Sequence, residues 1–213
     1  MSESIKSKAW LPYAAPFAVY MAFLCFQTNA NLLWMYPLKT IAVAAALWFF
    51  RKEYEELHPN FSLLAVVVGL VVIVMWIGID PYYPRLGHAT AFDPTTIASV
   101  GQRNVFIAFR VVGAVIVVPL MEELFWRAFL IRWLVNENFK SVAVGTFTWM
   151  SFGVTVAMFG SVHNEWLAGL ICGALYNWLY YRRKDVFSCV VAHAVSNAAL
   201  AAWVLARGDW KFW

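Results

Sequence analysis

An all-helical bundle that crosses a membrane several times is the fold class this sequence predicts, on three observations. Hydrophobic residues make up 62% of the chain and charged residues only 13%, where a soluble domain carries about a quarter charged. Apolar stretches of about 20 residues recur, each long enough to cross a hydrocarbon core of about 30 Å as a helix. The chain also holds 12 Trp and 17 Phe, the kind of interfacial anchor such helices use.

Seven spans follow, at about 10–28, 34–50, 61–79, 104–131, 145–163, 165–181 and 186–206. The first is preceded by Lys6 and Lys8 like a signal peptide, but 10–27 offers no convincing small-x-small cleavage site, so it reads as a retained helix. The second runs into Arg51 and Lys52. The third, 61–79, is a nearly unbroken run of Val, Leu and Ile between His58-Pro59-Asn60 and Asp80-Pro81, and is the clearest helix of all. The segment 81–103, with Pro84, Gly87 and Pro94, reads as the longest extramembrane loop, carrying a short surface helix. The fourth, fifth and seventh spans carry the polar clusters taken up below, and the sixth contains Gly169, Gly173 and Tyr176 before the basic turn Arg182-Arg183-Lys184. No internal repeat is evident, which speaks against an inverted-repeat transporter. Residues 1–213 therefore read as one integral membrane domain.

The formal charge of +4 does not indicate a nucleic-acid partner, because the Lys and Arg residues are scattered between apolar runs without a basic, aromatic-interleaved face. Topology explains them better. With a cytoplasmic N-terminus, Lys6, Lys8, Arg51, Lys52, Arg132, Lys140, Arg182, Arg183 and Lys184 fall inside, and Arg85, Arg103, Arg207 and Lys211 outside. The expected location is a bacterial inner membrane, N-terminus inside. Cys25, Cys172 and Cys189 fall in apolar segments without close pairing and read as small buried hydrophobes.

An ionisable side chain inside a span costs roughly 2.5–3.5 kcal/mol on insertion scales, so those that remain usually face a polar interior. The fourth span holds Glu122 and Glu123 just after Pro119, with Arg127 following. Arg127 lies four residues after Glu123 on nearly the same helix face, but about 140° round from Glu122. The geometry pairs Arg127 with Glu123 and leaves Glu122 free to act as a general base. Pro119 removes one helix bond and frees a carbonyl one turn back. The bland reading is a structural ion network with Glu122 reaching water. Two further clusters on other helices argue against it: Phe159-x-x-x-His163 closing the fifth span, and His193-x-x-x-Asn197 in the seventh, whose spacing puts imidazole and carboxamide on one face. Both can donate to one anionic oxygen. Counted from the cytoplasmic helix ends, the levels of Glu122, His163, His193 and Asn197 agree within about 14 Å. That predicts a shared pocket inside the bilayer, reached from the cytoplasmic side.

The ordered set Glu122-Glu123-x-x-x-Arg127, Phe159-x-x-x-His163 and His193-x-x-x-Asn197 resembles the motifs of the CAAX prenyl endopeptidase and bacteriocin-processing (CPBP) family over roughly 104–206. The compact form is also similar to exosortase-associated CAAX-protease-related proteins. The resemblance implies an intramembrane glutamate peptidase without a cofactor. In it Glu122 and His163 activate water, His193 and Asn197 form the oxyanion hole, and Glu123, Arg127 and Phe159 support them. The implied partners are the lipid bilayer and a peptide or protein substrate, lipidated or membrane-anchored. Two other classes stay open at this point. Glu122, His163 and His193 are a possible two-His, one-carboxylate zinc set, although no H-E-x-x-H helix is present. The same polar groups would also suit a nonenzymatic membrane chaperone, scaffold or ion-coupled transporter.

Overall fold

The computed structural model describes residues 8–87 and 91–213; Lys6 in the charge count and positions 88–90 of the long loop lie outside them. The described residues form helices and turns without a strand. They are α1 Leu11–Phe26, α2 Leu32–Phe49, α3 Leu63–Ile79, α4 Val100–Trp133, α5 Trp149–Ser161, α6 Trp166–Arg183 and α7 Val186–Arg207. Four of the helices are both long and apolar enough to cross a membrane: α2, α3 with its following turn, α4 and α7. The shorter α1 and α5, of 16 and 13 residues, are apolar but span less. The remaining helix, α6, is diluted by Asn177, Arg182 and Arg183.

Two boundaries differ from the sequence expectation. The fourth span begins at Val100 rather than 104, because Ser99 caps it by accepting from the Gln102 amide at 3.4 Å. The fifth span ends at Ser161, leaving His163 in the turn before α6 instead of on the helix. The surface helix expected in 81–103 is reduced to single helical turns at Asp80–Tyr82 and Pro94–Thr96.

Between apolar helices in lipid, close packing takes over much of the role that hydrophobic burial has in water. Small residues make that approach possible. A Cβ on Gly69 of α3 would stand 2.4 Å from the Ala192 carbonyl oxygen of α7, so glycine is what lets these two helices touch. Gly160 of α5 and Gly169 of α6 meet in the same way. Large side chains such as Trp48, Phe49, Val74 and Trp149 point outward as a lipid-facing belt, while Met121, Trp126, Phe159, Tyr176 and Leu179 fill the interior.

Each end of the bundle is tied by its own polar network. At the end holding the α2–α3 and α4–α5 connections, Arg132 pairs with Glu56 and donates to the Val142 carbonyl at 2.9 Å; Tyr13 donates to Glu56 at 2.7 Å. At the opposite end Arg85 pairs with Asp80 at 2.5 Å and with Glu165 at 3.2 Å, and Lys211 reaches Asp80 at 3.0 Å. The segment around Arg85 also straps the turn that carries His163: the Leu86 amide donates to the Asn164 carbonyl at 2.8 Å, and the Trp166 indole donates to the Pro84 carbonyl at 2.9 Å.

Candidate active site

Helix α4 departs from regular winding in two places, with wide turns at Gly113–Val117 and Leu124–Leu130 that flank the two glutamates. In the first, the Val118 amide bonds the Gly113 carbonyl five residues back. The next bond in that register would run from residue 119 to Ala114, but Pro119 has no N–H to give. Asn197 of α7 supplies the missing donor: its Nδ2 reaches the Ala114 oxygen at 2.8 Å. The proline thus creates an acceptor that fixes the carboxamide of the last helix, and one Nδ2 hydrogen remains for another partner.

The glutamates separate as their spacing requires. Glu123 is fully buried and accepts from Arg127 Nη1 at 3.1 Å. Its Oε1 also lies 2.8 Å from His193 Nδ1. Arg127 is held in turn by Asn177 Oδ1 at 3.2 Å and the Gly173 carbonyl at 3.4 Å, with its guanidinium over the Phe159 ring at 4.9 Å. Asn177 passes the chain on to α5 by donating to Thr155 Oγ1 at 2.8 Å. A chain of buried polar groups therefore ties four helices together, and Glu123 is its centre.

Glu122 is outside that chain. It is buried, and its Oε2 has no hydrogen-bond partner. Burying an unsatisfied carboxylate oxygen is costly. The Glu122 side chain lines a cavity of about 310 Å³ together with His163, His193 and Asn197, and with Phe159, Tyr176 and Ser196. The structure brings the four polar side chains singled out from the sequence round one space, although His163 reaches it from the turn beyond its helix.

Both histidines are oriented by what their Nδ1 atoms touch. His163 Nδ1 lies 2.7 Å from the Phe159 carbonyl, and His193 Nδ1 2.8 Å from the Glu123 carboxylate. Each partner is an acceptor, so each Nδ1 carries the proton. In a neutral ring Nε2 is then a lone pair, suited to receiving a proton from water. For His193 to donate from Nε2 as well, the ring must carry both protons. The Tyr176 hydroxyl lies 2.6 Å from Ser196 Oγ, which donates to the His193 carbonyl at 2.8 Å and steadies that turn of α7.

The lining of the cavity bears on the side from which it was expected to be reached. Its wall is drawn from Gln27 and Leu24 of the α1 end, Tyr36 and Lys39 near the start of α2, Trp76 near the end of α3, Arg110 and Ala114 in the first half of α4, the His163–Glu165 turn, and Phe212 and Trp213. All belong to the end of the bundle with the α1–α2 and α5–α6 turns. The end with Arg51, Lys52, Arg132, Lys140 and Arg182–Lys184 contributes nothing to this wall. The lining therefore extends towards the end of the bundle opposite to the basic one, which the charge count assigns to the cytoplasm. Counting residues from one set of helix ends cannot reveal this, since groups near mid-helix lie at similar distances from both.

Asn177 and Thr155 escaped the sequence reading, as did Lys39 and Arg110. The signal was present, since Asn177 and Lys39 are polar residues inside apolar helices. Among the described residues, no group of three or more His, Cys, Asp or Glu is gathered so as to hold a metal ion; the set Glu122, His163 and His193 is spread over the wall, and His193 Nδ1 is engaged by Glu123.

Residues 104–199 match the model of a protein family described as type II CAAX prenyl endopeptidase Rce1-like. No curated protein and no solved structure matches the chain. The matched segment contains every polar group of the Glu123 chain, and Glu122 with the three side chains that share its cavity, His163, His193 and Asn197.

Proposed function

We propose that this chain, whose residues 104–199 match the model of the type II CAAX prenyl endopeptidase Rce1-like family, hydrolyses a peptide bond inside the membrane with Glu122 as general base. The observation that carries the reading is that Glu122, buried and, among the described residues, without an ion-pair partner, lines one cavity with His163, His193 and Asn197. A water seated between Glu122 and His163 would donate one hydrogen to the carboxylate and the other to His163 Nε2, whose lone pair is exposed by the Phe159 bond. As the water oxygen attacks the scissile carbonyl carbon, its proton moves to Glu122. The carbonyl oxygen becomes an oxyanion and is received by the free Nδ2 hydrogen of Asn197 and by Nε2–H of the His193 imidazolium. Collapse breaks the C–N bond, and Glu122 returns the proton to the departing amine.

Glu123 has a distinct part in this scheme. It balances Arg127 and holds the His193 ring through Nδ1, so the oxyanion hole depends on a carboxylate that never touches substrate. With the N-terminus in the cytoplasm, as the positive-inside count favours, the cavity would open on the far side of the membrane, and the substrate would present its cleavage site there. Quantitative mass spectrometry of membrane peptides from cells carrying wild-type or Glu122→Gln protein tests the function. Specific cleavage products should disappear with Glu122→Gln. An unchanged peptide profile removes the peptidase reading.

A further inference from the structure

Among Glu122, His163, His193 and Asn197, His163 alone stands outside a helix. It sits in the short turn between Ser161 and Trp166, and its neighbours Val162 and Asn164 are exposed. Its own bonds are local: the amide donates to the Gly160 carbonyl at 3.2 Å, and ring Nδ1 lies 2.7 Å from the Phe159 carbonyl. Both partners belong to α5. These bonds fix the ring on α5 but not against α4, where Glu122 stands.

The ties from this turn to another part of the bundle come from the segment that follows α3. The three residues after His163 are each bonded to it: Asn164 accepts from the Leu86 amide at 2.8 Å, Glu165 pairs with Arg85 Nη1 at 3.2 Å, and the Trp166 indole donates to the Pro84 carbonyl at 2.9 Å. Arg85 is anchored in turn. Its Nε and Nη2 donate to the buried Asp80 at 2.9 and 2.5 Å, and Nη1 donates to the Lys211 carbonyl at 2.9 Å. The Lys211 ammonium reaches the same Asp80 at 3.0 Å. From α3 itself, the Trp76 ring meets the His163 imidazole nearly at right angles, 5.5 Å between ring centres. One planar guanidinium thus holds two carboxylates at a fixed separation, one at the end of α3 and one beside His163, which a lysine ammonium cannot do. The Arg85 and Glu165 side chains are 21% and 12% exposed, so their pair is sheltered in comparison with an open surface ion pair.

We propose that Arg85 is a positioning residue: acting through Glu165, it sets where His163 stands relative to Glu122. The proposal rests on the peptidase reading, in which His163 receives a hydrogen of the attacking water. Arg85 and Asp80 lie outside residues 104–199 that match the family model, so a part of the chain beyond the match supports the reacting groups within it. A misplacement of about 1 Å costs on the order of 100-fold in rate.

The test is turnover in proteoliposomes of a peptide spanning a cleavage site found by comparing wild-type and Glu122→Gln membranes. Glu165→Gln cuts the arm to the turn and leaves Arg85 its bonds to Asp80 and Lys211; Arg85→Gln removes the whole anchor. Each should lower kcat by about 10–100-fold, and Glu165→Gln should change KM by less than about threefold. His163→Ala should lower kcat by about 10²–10⁴-fold, measured as product formed by excess enzyme. In that background both substitutions should change kcat by less than about twofold, because a residue that acts by placing His163 has nothing left to place. Equal losses in both backgrounds make the pair a general support of the fold, or give Glu165, which lines the cavity, a direct part in the reaction; either overturns the proposal. Full rates in the single variants overturn it as well, and so does wild-type turnover by His163→Ala. Where Arg85→Gln fails to fold, Glu165→Gln carries the test. Glu122→Gln in the same assay reports on the peptidase reading by itself. Turnover that survives it removes that reading, whereas its loss beside full rates for Glu165→Gln and Arg85→Gln leaves the reading standing and removes the positioning role.

Discussion

Replacing Glu123 with glutamine keeps the side-chain volume and removes one charge from a group that is fully buried. Its Oε1 accepts from Arg127 at 3.1 Å and engages His193 at 2.8 Å, and its Oε2 lies within ion-pair distance of the same guanidinium at 3.1 Å. Glutamine leaves the Arg127 guanidinium, itself 1% exposed, with only the neutral acceptors Asn177 and Gly173. Removing one partner of a buried ion pair costs about 3–5 kcal/mol, and the lost His193 contact adds to it. Glu122→Gln is the matched control, because its Oε2 has no partner to lose; a change of about 1 kcal/mol or less is expected. Reversible unfolding in mixed micelles, followed by tryptophan fluorescence, reads both variants under one condition. Glu123→Gln should lower stability by at least about 3 kcal/mol while Glu122→Gln unfolds with the wild type. Equal destabilisation by both would refute the division of the glutamates into one that holds the structure and one that is free to react.

Asn197→Ala removes an oxyanion donor and orphans the Ala114 carbonyl that Pro119 leaves open, so kcat should fall by about 10²–10³ with a stability loss of about 1 kcal/mol, measured by turnover and unfolding in parallel. Treatment with EDTA and 1,10-phenanthroline should leave turnover unchanged; loss of activity restored by zinc would instead support the metal reading. For topology, cysteines introduced at Lys52 and Asn164, in a background with the exposed Cys25 changed to serine, should label from opposite sides of the membrane, Lys52 from the cytoplasm. Labelling of both from one side would contradict the bundle's placement.

The spans and the Arg127–Glu123 pair were legible in the sequence because each depends on local periodicity: apolar runs of helical length, and a spacing of four on one helix. What was not legible depends on where helices cross. His193 meets Glu123 across 70 positions of sequence, and nothing in either motif alone says that the second glutamate rather than the first would orient that imidazole. Pro119 signals a missing bond, but the shift to a five-residue register, which moves the free acceptor to Ala114, is a feature of the packed helix. His163 lies beyond its helix because α5 stops early and the Arg85 segment ties down the turn that follows, an effect of a loop whose contacts are all distant in sequence. Lys39 was counted as one residue of an apolar span. Only the approach of α1, α2 and α4 shows that its ammonium shares a cavity with Arg110.

The central claim is that Glu122 performs the chemistry and does not merely support the fold. The most direct measurement is single-site turnover by purified protein in proteoliposomes, using a peptide identified as a product precursor in membranes, for wild type and Glu122→Gln with unfolding midpoints matched. The account predicts a rate loss of about 10²–10⁴-fold, the scale of a general base, in a variant that unfolds with the wild type. Turnover by Glu122→Gln within tenfold of the wild type would contradict it.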